Sequence, residues 1–299
     1  SMAKISTIAN TSGGSLESMK ESIRNLSLET GESVNNISNS VYKALSAGVD
    51  SADAVNFTAT ATKLATGSFT EVSTAIDVLS TALNAYGSNA GEAEGMADML
   101  ITTQNLSKTS VDQFAGAISS VIPLAANYGV QMDNIASAYV ELTNSGIQAS
   151  QAGTYIESML TELGNSGSAA AQALRDQTGS SFKSLMEQGY SLGDVLNTLG
   201  EYVDGDVVKF NGLWSSQEAG AGAMALYNAG AAEFNTTMAA MGDSAGAAAS
   251  AYEAVAGTSE NAKQSMVNAI ENMSNAIGED LNPALTSLYG AGEKLFTGI

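Results

Sequence analysis

Few residues in this chain of 299 could carry chemistry, because it contains no histidine and no cysteine. Gly220-Ala221-Gly222-Ala223-Met224-Ala225 matches a relaxed GxGxxA pattern, the kind whose backbone approaches a dinucleotide pyrophosphate. Such a loop needs a preceding strand inside a βαβ unit, and no strand pattern leads into Gly220, so close helix packing is the stronger reading. Asp204-Gly205-Asp206 offers carboxylates to a hard cation, but the rest of a calcium loop, including its closing glutamate, is missing. A solvated turn is the better reading. Glu92 with Glu94, and Glu279 with Asp280, are acid pairs of the type that cleaves glycosides. Nothing in the sequence puts one partner in an apolar pocket, and neighbouring acids of this kind usually lie on a solvated helix face. Trp214, between Leu213 and Ser215, reads as a packing anchor before a stacking platform, and the twelve methionines read first as core filler.

Composition removes most remaining chemistries. Without histidine there is no imidazole base, no Ser-His-Asp triad and no histidine metal ligand. Without cysteine there is no thiolate nucleophile, disulfide framework or cysteine zinc site. Eleven basic residues against thirty-one acidic ones give a net charge of −20, the opposite of a nucleic-acid footprint. The expectation is a non-enzyme with no cofactor, no metal, no nucleic-acid partner and no small-molecule substrate. No apolar run approaches the ~18 residues of a membrane span. The start, SMAKISTIAN, lacks the apolar stretch of a signal peptide, and its Ser1-Met2 pair reads as a cloning remnant before an internal start. Hydrophobic residues make up 44% of the chain but lean on alanine, and aromatics are 6%. Alanine buries little area, so a lightly held structure is expected.

The elements that must position these residues read as helices punctuated by glycine. Val72, Ile76, Leu79, Leu83 and Tyr86 share one helical stripe, as do Val111, Phe114, Ile118, Val121, Ala125 and Tyr128. Met132, Ile135, Tyr139 and Leu142 make another; Ala152, Ile156, Met159 and Leu163 the next; Met266, Ile270, Met273, Ile277, Leu281, Ala284 and Leu288 the last. Helices are expected over 51–66, 69–86, 92–106, 111–128, 132–145 and 150–163, with Pro123 kinking or breaking the fourth. Ser68-x-x-Glu71 and Ser110-x-x-Gln113 have capping-box spacing. Gly67, Gly87, Gly129, Gly146 and Gly164 stand where helices should stop. The Gly67 and Gly129 segments suggest a faint repeat about sixty residues long. Val207-Val208-Lys209-Phe210 is the single weak strand candidate. The fold class is therefore all-α: antiparallel amphipathic helices in stacked hairpins or an irregular bundle, with short glycine-terminated loops. Four regions are expected: a polar, partly ordered helical segment at 1–46; a helical core at 47–164; a Gly/Ala/Ser-rich helical region at 165–260, with firmer segments at 185–203 and 213–241; and an amphipathic helix at 261–299.

A family resemblance joins these pieces. The stretch from Gly129 to Gly164, GVQMDNIASAYVELTNSGIQASQAGTYIESMLTELG, resembles the core region of phage tail tape measure proteins. It has a glycine, a helix, a second glycine at Gly146, then the run Ser150-Gln151-Ala152-Gly153-Thr154 opening the next helix. The segment from Ala47 through 69–86 to Ala97-Asp98 resembles the same region. Leu213-Trp214 through Ala225 is similar to a leucine-aromatic start followed by small residues. Asn261 to Leu288, with Gly278, Glu279, Leu281 and Pro283, resembles a later family element. Together the resemblance spans about 47–290. Gln131 departs from the Ser or Thr usual before that helix, which should weaken its cap, and Gly193 falls early in its helix. Family members are usually much longer, so the chain reads as an excised piece.

The resemblance implies a structural ruler in the lumen of the virion tail tube, setting tail length by its own length and released before or during genome ejection. It implies assembly in the host cytoplasm, with the tail tube protein, tail assembly chaperones and tail tip or baseplate proteins as partners, together with self-association. The motif residues would then be structural. Two other classes stay open: another helical surface or interaction protein, and an envelope-active tail component that cleaves peptidoglycan or acts on membranes.

Overall fold

The computed structural model describes residues 2–9 and 13–258. In chain order the helices are α1 (Met2–Ile8), α2 (Gly13–Thr30), α3 (Val34–Ser46), α4 (Ala54–Ser68), α5 (Val72–Tyr86), α6 (Ala93–Leu106), α7 (Val111–Ile118), α8 (Val121–Asn127) and α9 (Met132–Asn144). They continue as α10 (Ala149–Gly164), α11 (Ala169–Thr178), α12 (Phe182–Glu187), α13 (Leu192–Tyr202), α14 (Val207–Asn211), α15 (Gln217–Ala229), α16 (Ala231–Gly242) and α17 (Ala247–Ala256). A short 3₁₀ turn, Ala90–Glu92, precedes α6. No strand forms among the described residues, and the fold is all-α. The helix read at 261–288, with Gly278, Glu279, Asp280, Leu281 and Pro283, lies outside the described residues.

Most expected helices form close to their predicted limits, and the differences have local causes. The helix read at 111–128 is two, α7 and α8, parted at Ser119-Ser120. Pro123 lies in the first turn of α8, where its missing N–H would have had no intrahelical partner. The firm segments at 185–203 and 213–241 are likewise split, at Gly189 and Gly230, whose positive φ of 89° and 90° ends a helix cheaply.

Three expectations are corrected. Val207–Phe210 is the short helix α14 rather than a strand, because the Asp206 carboxylate accepts from the N–H groups of Val208 and Lys209 at 2.9 and 3.1 Å. Ser110 and Gln113 do form a reciprocal capping box, but Ser68 is the last residue of α4 and bonds back to the Leu64 carbonyl at 2.7 Å. The cap of α5 is Glu71, without a side-chain bond. Nor does Gly67 stop a helix: it lies inside α4, and the left-handed position after that helix is Phe69, at φ 57°. Gly67 is needed because α17 crosses it; a Cβ there would come within 2.8 Å of the Ala251 Cβ.

The larger apolar core is continuous from Ala44 to Ala248. Its heavy part lies in α5–α10, where Ile76, Leu79, Phe114, Ile118, Ile122, Ile135, Tyr139, Leu142, Ile156 and Leu160 are almost wholly buried. Each such side chain contributes about 1.5–3 kcal/mol from burial. A second cluster of Ile5, Met19, Ile23, Leu26, Ile37 and Val41 binds α1–α3 to Ala54 at the start of α4. Alanine and glycine are concentrated elsewhere. Helix α15 buries Ala219, Gly220, Gly222, Ala223 and Leu226, and α17 buries Ala248 alone. The light packing expected from composition is thus localised rather than spread evenly.

Candidate functional site

The motif residues bracket α9 and open α10: Gly129 stands before α9, and Gly146 with residues 150–154 at its far end. Gly129 and Gly146 both have left-handed backbone, φ 75° and 94°. They end α8 and α9, where the N–H groups of Val130 and Ile147 return to the carbonyls of Ala125 and Leu142. Gln131 caps α9 without a side-chain bond, and the Asp133 carboxylate accepts from the Asn134 N–H instead. After the second turn, Ser150, Gln151, Ala152, Gly153 and Thr154 form the first turns of α10. Ala152 is buried in the core, and Gly153 lies against α7 so closely that a Cβ would overlap the Ala117 carbonyl. Ser150 and Thr154 face outward into an open groove of about 650 Å³ between α7 and α10.

That groove is polar. Lys108, Asp112, Gln113 and Glu157 line it beside the two hydroxyl residues. Ser120 donates to Glu157 Oε2 at 2.7 Å, and Thr70 donates to Asp112 Oδ1. Beneath it, Tyr139 is fully buried with its ring edge-on to Phe114 at 4.7 Å. Its hydroxyl makes no hydrogen bond although Thr109 stands beside it, and burial raises the phenol above its ordinary pKa.

The other sequence candidates are dispersed. Gly220 and Gly222 lie on α15 and meet Trp214 and Tyr155 as close packing positions. Trp214 is nearly buried, tilted against Phe210 at 6.1 Å. Asp206 is a helix cap whose carboxyl is held below its usual value by the N–H of Lys209 first, while Asp204 and Gly205 form a left-handed turn. Glu92 accepts from Ser88 and Asn89 at the surface, and Glu94 is exposed on α6. Among the described residues no group of acids has the arrangement to hold a metal ion.

Sequence reasoning missed a set of buried polar side chains. Asp98 on α6, Asn134 and Glu141 on α9, and Glu162 on α10 are each at least nine-tenths buried. Both Asp98 oxygens accept N–H groups that open α17, from Gly246 at 2.9 Å and Ala248 at 2.8 Å. Asn134 Oδ1 accepts from the Leu192 N–H at 2.9 Å, where α13 begins. Glu141 Oε1 accepts from the Thr237 hydroxyl on α16 at 2.6 Å. Glu162 accepts from the N–H groups of Ser215 and Ser216, ahead of α15, at 2.8 and 2.9 Å. Burial alone would raise the Glu162 pKa, but those donors outweigh it and hold the carboxyl below its ordinary value. A faint signal exists: each residue interrupts or flanks an apolar stripe, as Glu141 does beside Leu142 and Glu162 beside Leu163. The partners, 53 to 150 residues away along the chain, leave no local trace.

No helix among the described residues is long and apolar enough to cross a membrane. Comparison with curated proteins and with solved structures gives no match. The family of phage-related minor tail proteins matches residues 20–223, a span running from within α2 into α15. That span covers most of the chain, including the groove between α7 and α10 and all four buried polar side chains, of which Asn134 and Glu162 have their partners inside it as well. The chain belongs to the phage-related minor tail protein family, and is a component of a phage tail.

Proposed function

We propose that this chain is part of a tail tape measure protein, a structural ruler in the tail tube lumen and not an enzyme. The observation that carries the reading is the family match over 20–223, joined to the order of motif segments from Ala47 through Thr154 that resembles the tape measure core. In a fully helical, unpacked state, 299 residues would extend roughly 450 Å, so residue count is itself length information. On this reading the folded form precedes or follows residence in the tube. Assembly takes place in the host cytoplasm, and the tube, chaperone and tip proteins are the partners.

The continuous core from Ala44 to Ala248 favours a second reading, a tail component that works while folded. An in-frame deletion of α5 in the phage separates the two. Tails shortened in proportion to the residues removed support the ruler. Tails of unchanged length, or none at all, support the folded component. A peptidoglycan turbidity assay tests the envelope-active alternative, and clear lysis would overturn the non-enzymatic reading.

A further inference from the structure

The buried carboxylates form a pattern that neither tail reading uses. Asp98, Glu141 and Glu162 are the three buried charged side chains among the described residues. They stand on three different helices, α6, α9 and α10, and each reaches one of three consecutive helices, α17, α16 and α15. Two of them use both oxygens to hold the backbone N–H groups at a helix start, where unsatisfied donors and the helix dipole favour negative charge.

The segment they hold lies backbone-close against α4, α9 and α10, but few large side chains make that contact. Across α15–α17 the sizeable buried side chains are Leu226, Phe234 and Met241, the rest being mainly alanine and glycine. Its seats are glycines: Gly67 under Ala251, Gly222 against Tyr155, and Gly193 and Gly200 of α13 under Phe234 and Tyr227. Small-residue contacts bring backbones close but bury little apolar area per residue. Helices α4–α10 by contrast interlock through large aliphatic and aromatic side chains. Stability is not uniform within a fold, and the weakest cooperative unit opens first.

We infer that residues 213–258 are a detachable strap, fastened by Asp98, Glu141 and Glu162, that lifts as a unit while α4–α10 stay folded. Lifting it uncovers the faces of α4, α6, α9 and α10 that the strap occupies. The inference holds for any tail role, because it rests on the fastening and not on the ruler.

Two measurements on the full chain test it. In peptide-resolved hydrogen exchange, amides of 217–256 should exchange at least ten-fold faster than those of α5 and α9. In a urea titration, emission of the single tryptophan, Trp214, should shift to the red before the far-ultraviolet helical signal falls by half. Asp98→Asn and Glu162→Gln should each speed strap exchange a further several-fold and leave α5 exchange unchanged. Asp77→Asn, which breaks only the exposed pair with Lys43, should change neither. Coincident transitions with uniform exchange, or variants that accelerate α5 as much as the strap, would overturn the inference. If a variant does not fold, the exchange pattern of the unaltered chain decides the matter alone.

Discussion

At Glu162 two backbone N–H groups, from Ser215 and Ser216, converge on one buried carboxylate. Its folded pKa lies below the ordinary 4.5, so the unfolded chain binds the proton more readily. The sign follows by linkage: the stabilisation is complete above about pH 4.5 and fades as pH falls through the folded value. Glu162→Gln should therefore lower the urea midpoint at pH 7 and flatten the stability profile below pH 5. A variant whose acid profile parallels the parent's would refute this. Gly153 makes a steric counterpart. With a Cβ overlapping the Ala117 carbonyl, Gly153→Ala must push α7 from α10 and should cost about 3 kcal/mol, measurable as a lower midpoint in urea. The glycine was legible in the sequence as part of a motif. Its reason was not, because Ala117 meets it only after three intervening turns fold back.

Among the elements, the turn between α4 and α5 holds a bulky residue in left-handed backbone. Phe69 has φ 57° with its side chain four-fifths exposed, so a bulky residue occupies left-handed backbone with little packing in return. Phe69→Asn should stabilise the chain by about 0.5–1 kcal/mol, read as a higher melting temperature; a lower one would mean the ring packs in solution. The helices themselves were largely legible. Stripes at 72–86 and 132–142 located α5 and α9, and Ser110 with Gln113 marked the start of α7. Ser68 and Glu71 had the same spacing and failed, since helix α4 had not yet ended at Ser68. Spacing identifies what a cap could be, but the helix boundary depends on whether the preceding turn finds packing. For α4 that packing is α17, far away in sequence.

For the whole molecule, a net charge of −20 with eleven basic residues predicts no adhesion to DNA sharing the same tail. Like charges repel within a screening length of about 8 Å at physiological salt. No shift of duplex DNA should appear in an electrophoretic assay at 150 mM salt; a salt-dependent shift would contradict the charge argument. Sequence by itself determined the all-helical class, the positions of most helices in 54–164 and the absence of histidine and thiol chemistry. These follow from residue types and from spacings within a few turns, which is the range over which helical periodicity acts. The tertiary structure alone decided that α15–α17 lie across α4, α6, α9 and α10, and that Asp98, Glu141 and Glu162 are buried fasteners instead of surface acids. A carboxylate on a helix looks the same in sequence whether water or a distant N–H group satisfies it. Only the fold brings the donor within hydrogen-bond reach and removes the water.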